Sequence, residues 1–356
     1  MNPSFWKSRR VLVTGHTGFK GSWLSLWLRK MGAHVTGLAL PPPTNPSLFE
    51  QARVGDGLDS RLADIRDAAA VRAAVATQEI IFHLAAQPLV RASYTDPLET
   101  FSVNLLGTLQ VLEAVRHSSS VRAVVVITTD KVYENLETAR GYHELDRLGG
   151  HDPYSNSKAC VELGVQSFRD SFFPAAKHSI HGVAMATARA GNVLGGGDWA
   201  RDRLVPDILR AALANHPVVL RYPASRRPWQ HVLDPLSGYL LLAEKLFNDG
   251  PAFAEAWNFG PAAADAVPVS DLTERLLVLA GSTAGWKQEP SPQPHEAGLL
   301  VLDCAKARKR LGWRPKWNLE QTLAAIVEWE HAYRRGDDPH ATTLAQIRGY
   351  EQALPQ

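Results

Sequence analysis

The run Gly15-His16-Thr17-Gly18-Phe19-Lys20-Gly21 constrains this chain more than any other feature. It follows directly on the apolar run Val11-Leu12-Val13 and opens a helical pattern that reaches about Met31. A strand that turns at once into a helix needs glycine for positive φ and for close packing of the two elements. The same turn aims backbone N–H groups from a helix N-terminus, where amides and helix dipole together hold a pyrophosphate. Taken alone the motif is also compatible with a plain βα turn. Its N-terminal place between strand and helix favours dinucleotide binding, with Thr14, Gly15, Thr17, Gly18, Phe19, Lys20 and Gly21 as the expected cradle. The spacing G-x-x-G-x-x-G, in place of G-x-G-x-x-G, points to one branch of such folds.

Strand-like and helix-like patterns alternate from there. Val35 to Leu40 reads as a second strand stopped by Pro41-Pro42-Pro43. Ile80 to Leu84, Val124 to Ile127 and Val183 to Ala190 read as further strands, and 67–76, 101–117 and 154–173 as helices. The short β-branched run at Val124 suits a strand buried on both faces. Strands alternating with helices imply an α/β, Rossmann-type doubly wound parallel sheet. After about Gly191 the texture changes to glycine, proline, tryptophan and scattered arginine, which suits a smaller, irregular substrate lobe. The expected division is 1–190 as the dinucleotide domain, rejoined by 232–262, with 191–231 and 263–356 as the lobe. Pro290 to Pro294 reads as an ordered surface connection.

Composition removes other classes. At ~150 residues per domain, 356 residues make about two domains. A 45% hydrophobic and 21% charged chain is neither disordered nor fibrous. Lys+Arg (38) against Asp+Glu (36) leaves +2, no field for nucleic acid or a membrane surface. Cys160 and Cys304 provide neither a disulfide framework nor a structural zinc site. Residues 1–10 lack the apolar run of a signal peptide, and no segment reaches the ~18 apolar residues of a membrane span. A soluble, cytoplasmic protein without a bound metal is expected.

At the end of the second strand, an acid should grip the adenosine ribose 2′-hydroxyl of NAD. Ala39-Leu40 and prolines stand there, with no arginine for a 2′-phosphate, so NAD is favoured over NADP. Asp64 and Ile65, past the third strand, are candidates for the adenine end. Asp64 could equally cap the following helix.

Tyr154 and Lys158 stand at i and i+4, on one helix face. A nearby ammonium favours phenolate and should lower the tyrosine pKa toward that of a usable base. Lys158 could also bond the nicotinamide ribose. Thr128-Thr129 ends the preceding buried strand, and in open α/β sheets the carboxyl ends of strands line the ligand crevice. Together with the glycine loop these residues make a hydride-transfer site.

Gly15 to Gly21, Leu84-Ala85-Ala86, Asn104, Thr129 and Tyr154/Lys158 resemble the extended short-chain dehydrogenase/reductase family, in its branch that modifies nucleotide sugars. The resemblance runs from about residue 9 to 330. It implies NAD as cofactor, Asn104 as the asparagine that supports the active-site backbone, and a homodimer built on the helices around 101–117 and 154–173. Asp130-Lys131 stands where the family's epimerases carry small residues and its 4,6-dehydratases carry an acid and a base. The Asp-Lys form is similar to that of the CDP-glucose 4,6-dehydratases, as are Gly195-Gly196-Gly197-Asp198-Trp199 and Arg227-Pro228-Trp229-Gln230-His231-Val232. The resemblance thus implies a catalytic set of Thr129, Asp130, Lys131, Tyr154 and Lys158. In it Asp130 is the acid for the departing 6-hydroxyl and Lys131 the base at C5.

Guanidinium groups match phosphate oxygens in bidentate fashion, so Arg189, Asn192, Arg203, Arg221, Arg226 and Arg227 are candidates for a substrate diphosphate. Gln87, Trp199 and His231 complete the expected substrate set. His231 could equally be a core histidine, and Arg221 and Arg226 solvated charges. Another nucleotide-sugar dehydratase, a 4-epimerase, or a non-catalytic NAD-binding protein are the alternatives. The choice of CDP-glucose as substrate rests on resemblance alone.

Overall fold

The computed structural model describes residues 2–138, 140–291 and 298–355. Seven strands form one parallel sheet: β1 (Arg10–Thr14), β2 (His34–Ala39), β3 (Asp59–Leu62), β4 (Ile80–His83), β5 (Ala123–Ile127), β6 (Ala184–Ala190) and β7 (Ala256–Phe259). Their order is β7-β6-β5-β4-β1-β2-β3. The chain winds outwards from β1 in both directions, so the winding reverses between β1 and β4, where Thr14 pairs with His83. That reversal opens a crevice at the carboxyl ends of these strands.

Alternate residues of each strand feed two helical layers. Leu12, Ile81, Val124 and Val126 face one side, with α2 (Ala68–Val75), α3 (Gly107–Arg116) and α4 (Pro153–Phe172). Val11, Val13, Phe82 and Val125 face the other, with α1 (Phe19–Lys30) and α5 (Leu233–Asp249). Because both faces are covered, β5 is buried along its whole length, which explains its unbroken apolar run.

Two features depart from the periodicity reading. β3 is a mostly exposed edge strand, Asp59-Ser60-Arg61-Leu62, with no apolar run to announce it. Residues 101–117 are not one α-helix. A helix over Pro97–Phe101 passes into an i→i+5 segment at Ser102–Leu106 before α3 begins. Such a wide turn redirects side chains, and Asn104 is buried within it. After residue 191 the chain does return to the sheet, through α5 and β7.

The irregular region has its own core, with Val205, Ile208, Leu220, Trp229, Leu272, Leu323 and Ile326. It is built on paired short strands and on α6 (Leu319–Arg335). The last helix, α7 (Pro339–Gln352), docks on α1: Trp27 Nε1 donates to Glu351 Oε1 at 2.9 Å, and Lys30 pairs with the same carboxylate at 2.6 Å. Trp313, Trp329 and Tyr350 join the sheet's core, so the segment from 300 onward serves both units. Pro292 to Pro294 lie outside the described residues.

Candidate active site

One cavity of 1340 Å³ crosses the carboxyl ends of the strands and continues into the irregular region. That exceeds the ~300–1,000 Å³ of a single small-molecule site. At one end stands the glycine loop. Gly15 has φ +75°, and a Cβ there would lie 2.8 Å from the Ala85 amide nitrogen. A Cβ at Gly21 would stand 2.1 Å from the Gly15 carbonyl oxygen, so only glycine lets α1 start this close to the turn. Gly18 caps α1 without a side-chain acceptor, and the first turn carries no acid. The amides and the positive end of the helix dipole are therefore left for an anion. This cradle fits a dinucleotide pyrophosphate, with Asp64, Ile65, Leu84, Ala85 and Ala86 on the same wall.

One residue of the expected cradle acts from behind it. Thr14 does not line the cavity. Its hydroxyl bonds His83 Nδ1 at 2.7 Å and accepts from the amides of Leu84 and Ala85, so it fixes the facing loop. Asp64 is held by Arg66 at 2.6 Å, which lowers its pKa, and the cap of α2 is Asp67, not Asp64.

The residues expected to carry the redox step converge further along. Tyr154, Lys158, Thr129 and Lys131 all line the cavity. Tyr154 shares a hydrogen bond with Thr129, yet burial pushes its phenol up to about 12. The expected lowering by Lys158 is absent: burial dominates, and Lys158 is not among the groups that act on the phenol. Lys158 itself is brought down to about 8 by burial, and its Nζ donates to the Ile127 carbonyl at 3.2 Å. Asp130 is fully buried and is not part of the cavity wall. Its Oδ1 accepts from Thr129 Oγ1 at 3.0 Å and from Lys131 Nζ at 3.1 Å. Its Oδ2 has no partner among the described residues and rests against the cleft residue Gly191, where a Cβ would come within 3.1 Å. Lys131 thus faces the cleft with the carboxyl behind it.

A second layer holds this set. Asn104 does not touch the cavity. Its Oδ1 accepts from the Gln87 amide at 2.8 Å, and its Nδ2 donates to Ser157 at 2.9 Å, which ties the loop after β4 to α4. Glu162, one turn beyond Lys158, was not singled out by motif. It takes hydrogen bonds from Thr128 (2.5 Å) and Thr187 (2.6 Å) and pairs bidentately with Arg189 at 2.8–2.9 Å. Its i+4 spacing from Lys158 was the signal available for finding it. Arg189 is therefore unavailable to a phosphate. It is buried and spent on Glu162, on Tyr133 (2.8 Å) and on the Glu144 carbonyl.

The remaining substrate candidates divide. Asn192, Trp199, Arg203, Arg221 and Arg227 line the cavity, and the buried Asn192 Oδ1 is unpartnered among the described residues. Arg203 pairs with Asp198 at 2.8 Å. Arg226 is exposed, lies off the cavity and bonds the Ala266 carbonyl. His231 is a core histidine packed against Trp23 and Trp317, and burial drives its pKa down to about 3. Gln87 turns its amide to Leu89 and Thr100, away from the cleft.

A doubly wound sheet, a glycine cradle at the switch point and a Tyr/Lys helix beside it define an extended short-chain dehydrogenase/reductase. Within that class the chain belongs to the family described as GDP-mannose 4,6 dehydratase, whose model matches residues 12–326. It is 51% identical over 355 residues, 99% of each chain, to a CDP-glucose 4,6-dehydratase of Salmonella typhimurium. It is 30% identical to a dTDP-glucose 4,6-dehydratase of Streptomyces griseus, over 92% of this chain and 96% of that one. Among solved structures, a dTDP-glucose 4,6-dehydratase from Streptomyces venezuelae with NAD bound superposes with a TM-score of 0.75 at 25% identity, covering 93% and 99% of the two chains. A UDP-glucose 4-epimerase of Thermotoga maritima shares the fold (TM-score 0.77, 23% identity, 91% and 99% covered).

Proposed function

We propose that this protein converts CDP-D-glucose to CDP-4-keto-6-deoxy-D-glucose, as an NAD-dependent hydro-lyase. The observation that carries the reading is Lys131 on the cleft wall with Tyr154, hydrogen-bonded to Asp130 buried directly behind it, in a cleft that also holds the glycine cradle. An epimerase has no need of that acid and amine. The 51% identity to a CDP-glucose 4,6-dehydratase supports the nucleotide and the sugar.

The glycine cradle would hold NAD, which would supply an acceptor for hydride from C4 and a donor of it to C6. Tyr154 takes the proton of the 4-hydroxyl, with Thr129 orienting that oxygen and Lys158 holding the phenol's surroundings positive. The ketone at C4 acidifies C5. Lys131, as neutral amine, removes the C5 proton, and Asp130, as carboxylic acid, protonates the departing 6-hydroxyl, which leaves as water. The amine then carries the proton that C5 needs when hydride arrives at C6. Asn192, Arg203, Arg221 and Arg227 take the diphosphate side, and Trp199 borders the sugar or base. Residues 191–231 form the heart of the sugar-nucleotide lobe.

The enzyme acts in the cytoplasm as a homodimer. No helix among the described residues is long and apolar enough to cross a membrane. Leu106 and Leu163 stand exposed on the two segments assigned to the dimer seam.

The test is turnover of CDP-, dTDP-, UDP- and GDP-hexoses, read as the alkali absorbance of a 4-keto sugar. CDP-glucose should give the highest kcat/KM. A product that is only a C4 epimer, or a clear preference for another base, overturns the reading.

A further inference from the structure

Lys20 stands in the glycine loop, and its backbone belongs to the cofactor cradle. Its side chain has a different neighbourhood. It lines the cleft and makes no hydrogen bond or ion pair among the described residues. The charges around it are Arg203, Asp130, Lys158 and Lys131, which are the groups of the sugar end and not of the adenosine end. Burial, and then the nearby Arg203, bring the Lys20 amine down to about 7. A half-buried ammonium beside Arg203 and Lys158, with no ion-pair partner of its own among the described residues, is stabilised by an anion that joins it. The carboxylate, Asp130, is already engaged by Thr129 and Lys131. Arg203 stands on the lobe side of the same cleft and is tied there to Asp198.

We propose that the Lys20 ammonium, together with Arg203, binds the sugar-linked phosphate of the nucleotide-sugar substrate and not the pyrophosphate of the cofactor. The glycine loop then serves both ligands, the cofactor through its amides and the substrate through this one side chain. A cation there also fixes C1 of the hexose, and so the distance at which C5 and C6 meet Lys131 and Asp130. This inference rests on the nucleotide-sugar reading above.

The experiment is calorimetric titration of the NAD-loaded protein with CDP and with CMP, and of the NAD-free protein with NAD, for wild type, Lys20→Met and Lys20→Arg. Wild type should bind CDP more tightly than CMP. Failure of that first comparison would sink the nucleotide-sugar reading itself, apart from any role of Lys20. In Lys20→Met, CDP binding should weaken by about tenfold to a hundredfold, the worth of a charged hydrogen bond. CMP and NAD binding should be unchanged, and Lys20→Arg should restore most of the loss. Weaker NAD binding in Lys20→Met, unchanged CDP binding, or an equal loss for CDP and CMP overturns the proposal.

Discussion

Lys131 Nζ lies 3.1 Å from Asp130 Oδ1, with the amine on the cleft wall and the carboxyl fully buried behind it. Dehydration requires one group to take a proton from C5 and another to give one to the 6-oxygen. At this separation one hydrogen bond joins the two groups. Lys131→Met should lower kcat for the 4-keto-6-deoxy product by at least about a hundredfold. It should leave hydride transfer from C4 visible as nicotinamide absorbance in a single turnover. Solvent-deuterium exchange at C5 that continues at the wild-type rate in this variant rules out Lys131 as the base.

Gly21 is the tightest point of the cradle, since its Cβ would stand 2.1 Å from the Gly15 carbonyl oxygen. Gly21→Ala must push α1 away from the turn, at about 1–3 kcal/mol for such overpacking. Loss of NAD affinity by about tenfold or more is expected, measured by fluorescence titration, with the lobe's affinity for CDP retained. Unimpaired NAD binding would show that the pyrophosphate sits elsewhere.

The Glu162–Arg189 pair is buried and anchors the end of β5 through Thr128 and the middle of β6 through Thr187. Glu162→Ala leaves an uncompensated buried guanidinium, which costs about 3–5 kcal/mol. Chemical denaturation should show a loss of that size, together with lowered activity as the Thr128-Thr129 turn loosens. A loss below about 1 kcal/mol, the scale of an exposed pair, contradicts a structural role for this network.

Asp234 is buried at the start of α5, where its Oδ1 accepts from Tyr350 Oη and the Lys316 amide, both at 2.7 Å. Burial raises its pKa from 3.8 to about 7. The folded state therefore binds more protons than the unfolded one between those values. The stability gained from the protonated form is full below pH 3.8 and is lost as pH rises through about 7. Asp234→Asn keeps the acceptor and removes the titration. Its Tm relative to wild type should be higher at pH 8 than at pH 5, and a difference independent of pH would refute this.

Much of the fold was legible in the residues because the signals were local. The glycine loop had to follow a strand and open a helix, and the unbroken apolar run at Val124 could satisfy its side chains only in a strand covered on both faces. The edge strand β3, expected just before Asp64, carries no apolar run for the opposite reason, since it covers nothing. The wide turn at Ser102–Leu106 keeps helical spacing on either side, so periodicity passes over it.

The chain's own order of residues determined which chemical groups exist and which lie one helical turn apart: Tyr154 with Lys158, Asp130 beside Lys131. Tertiary structure decided what each group faces. Arginine and histidine look alike in a sequence whether they meet a phosphate or a buried partner. Packing sent Arg189 to Glu162 and His231 into the tryptophans, and left Arg203, Arg227 and Lys20 in the cleft. It also decided proton affinity, because desolvation depends on every element packed around a group. That is why Tyr154 is raised where the neighbouring lysine alone would have lowered it.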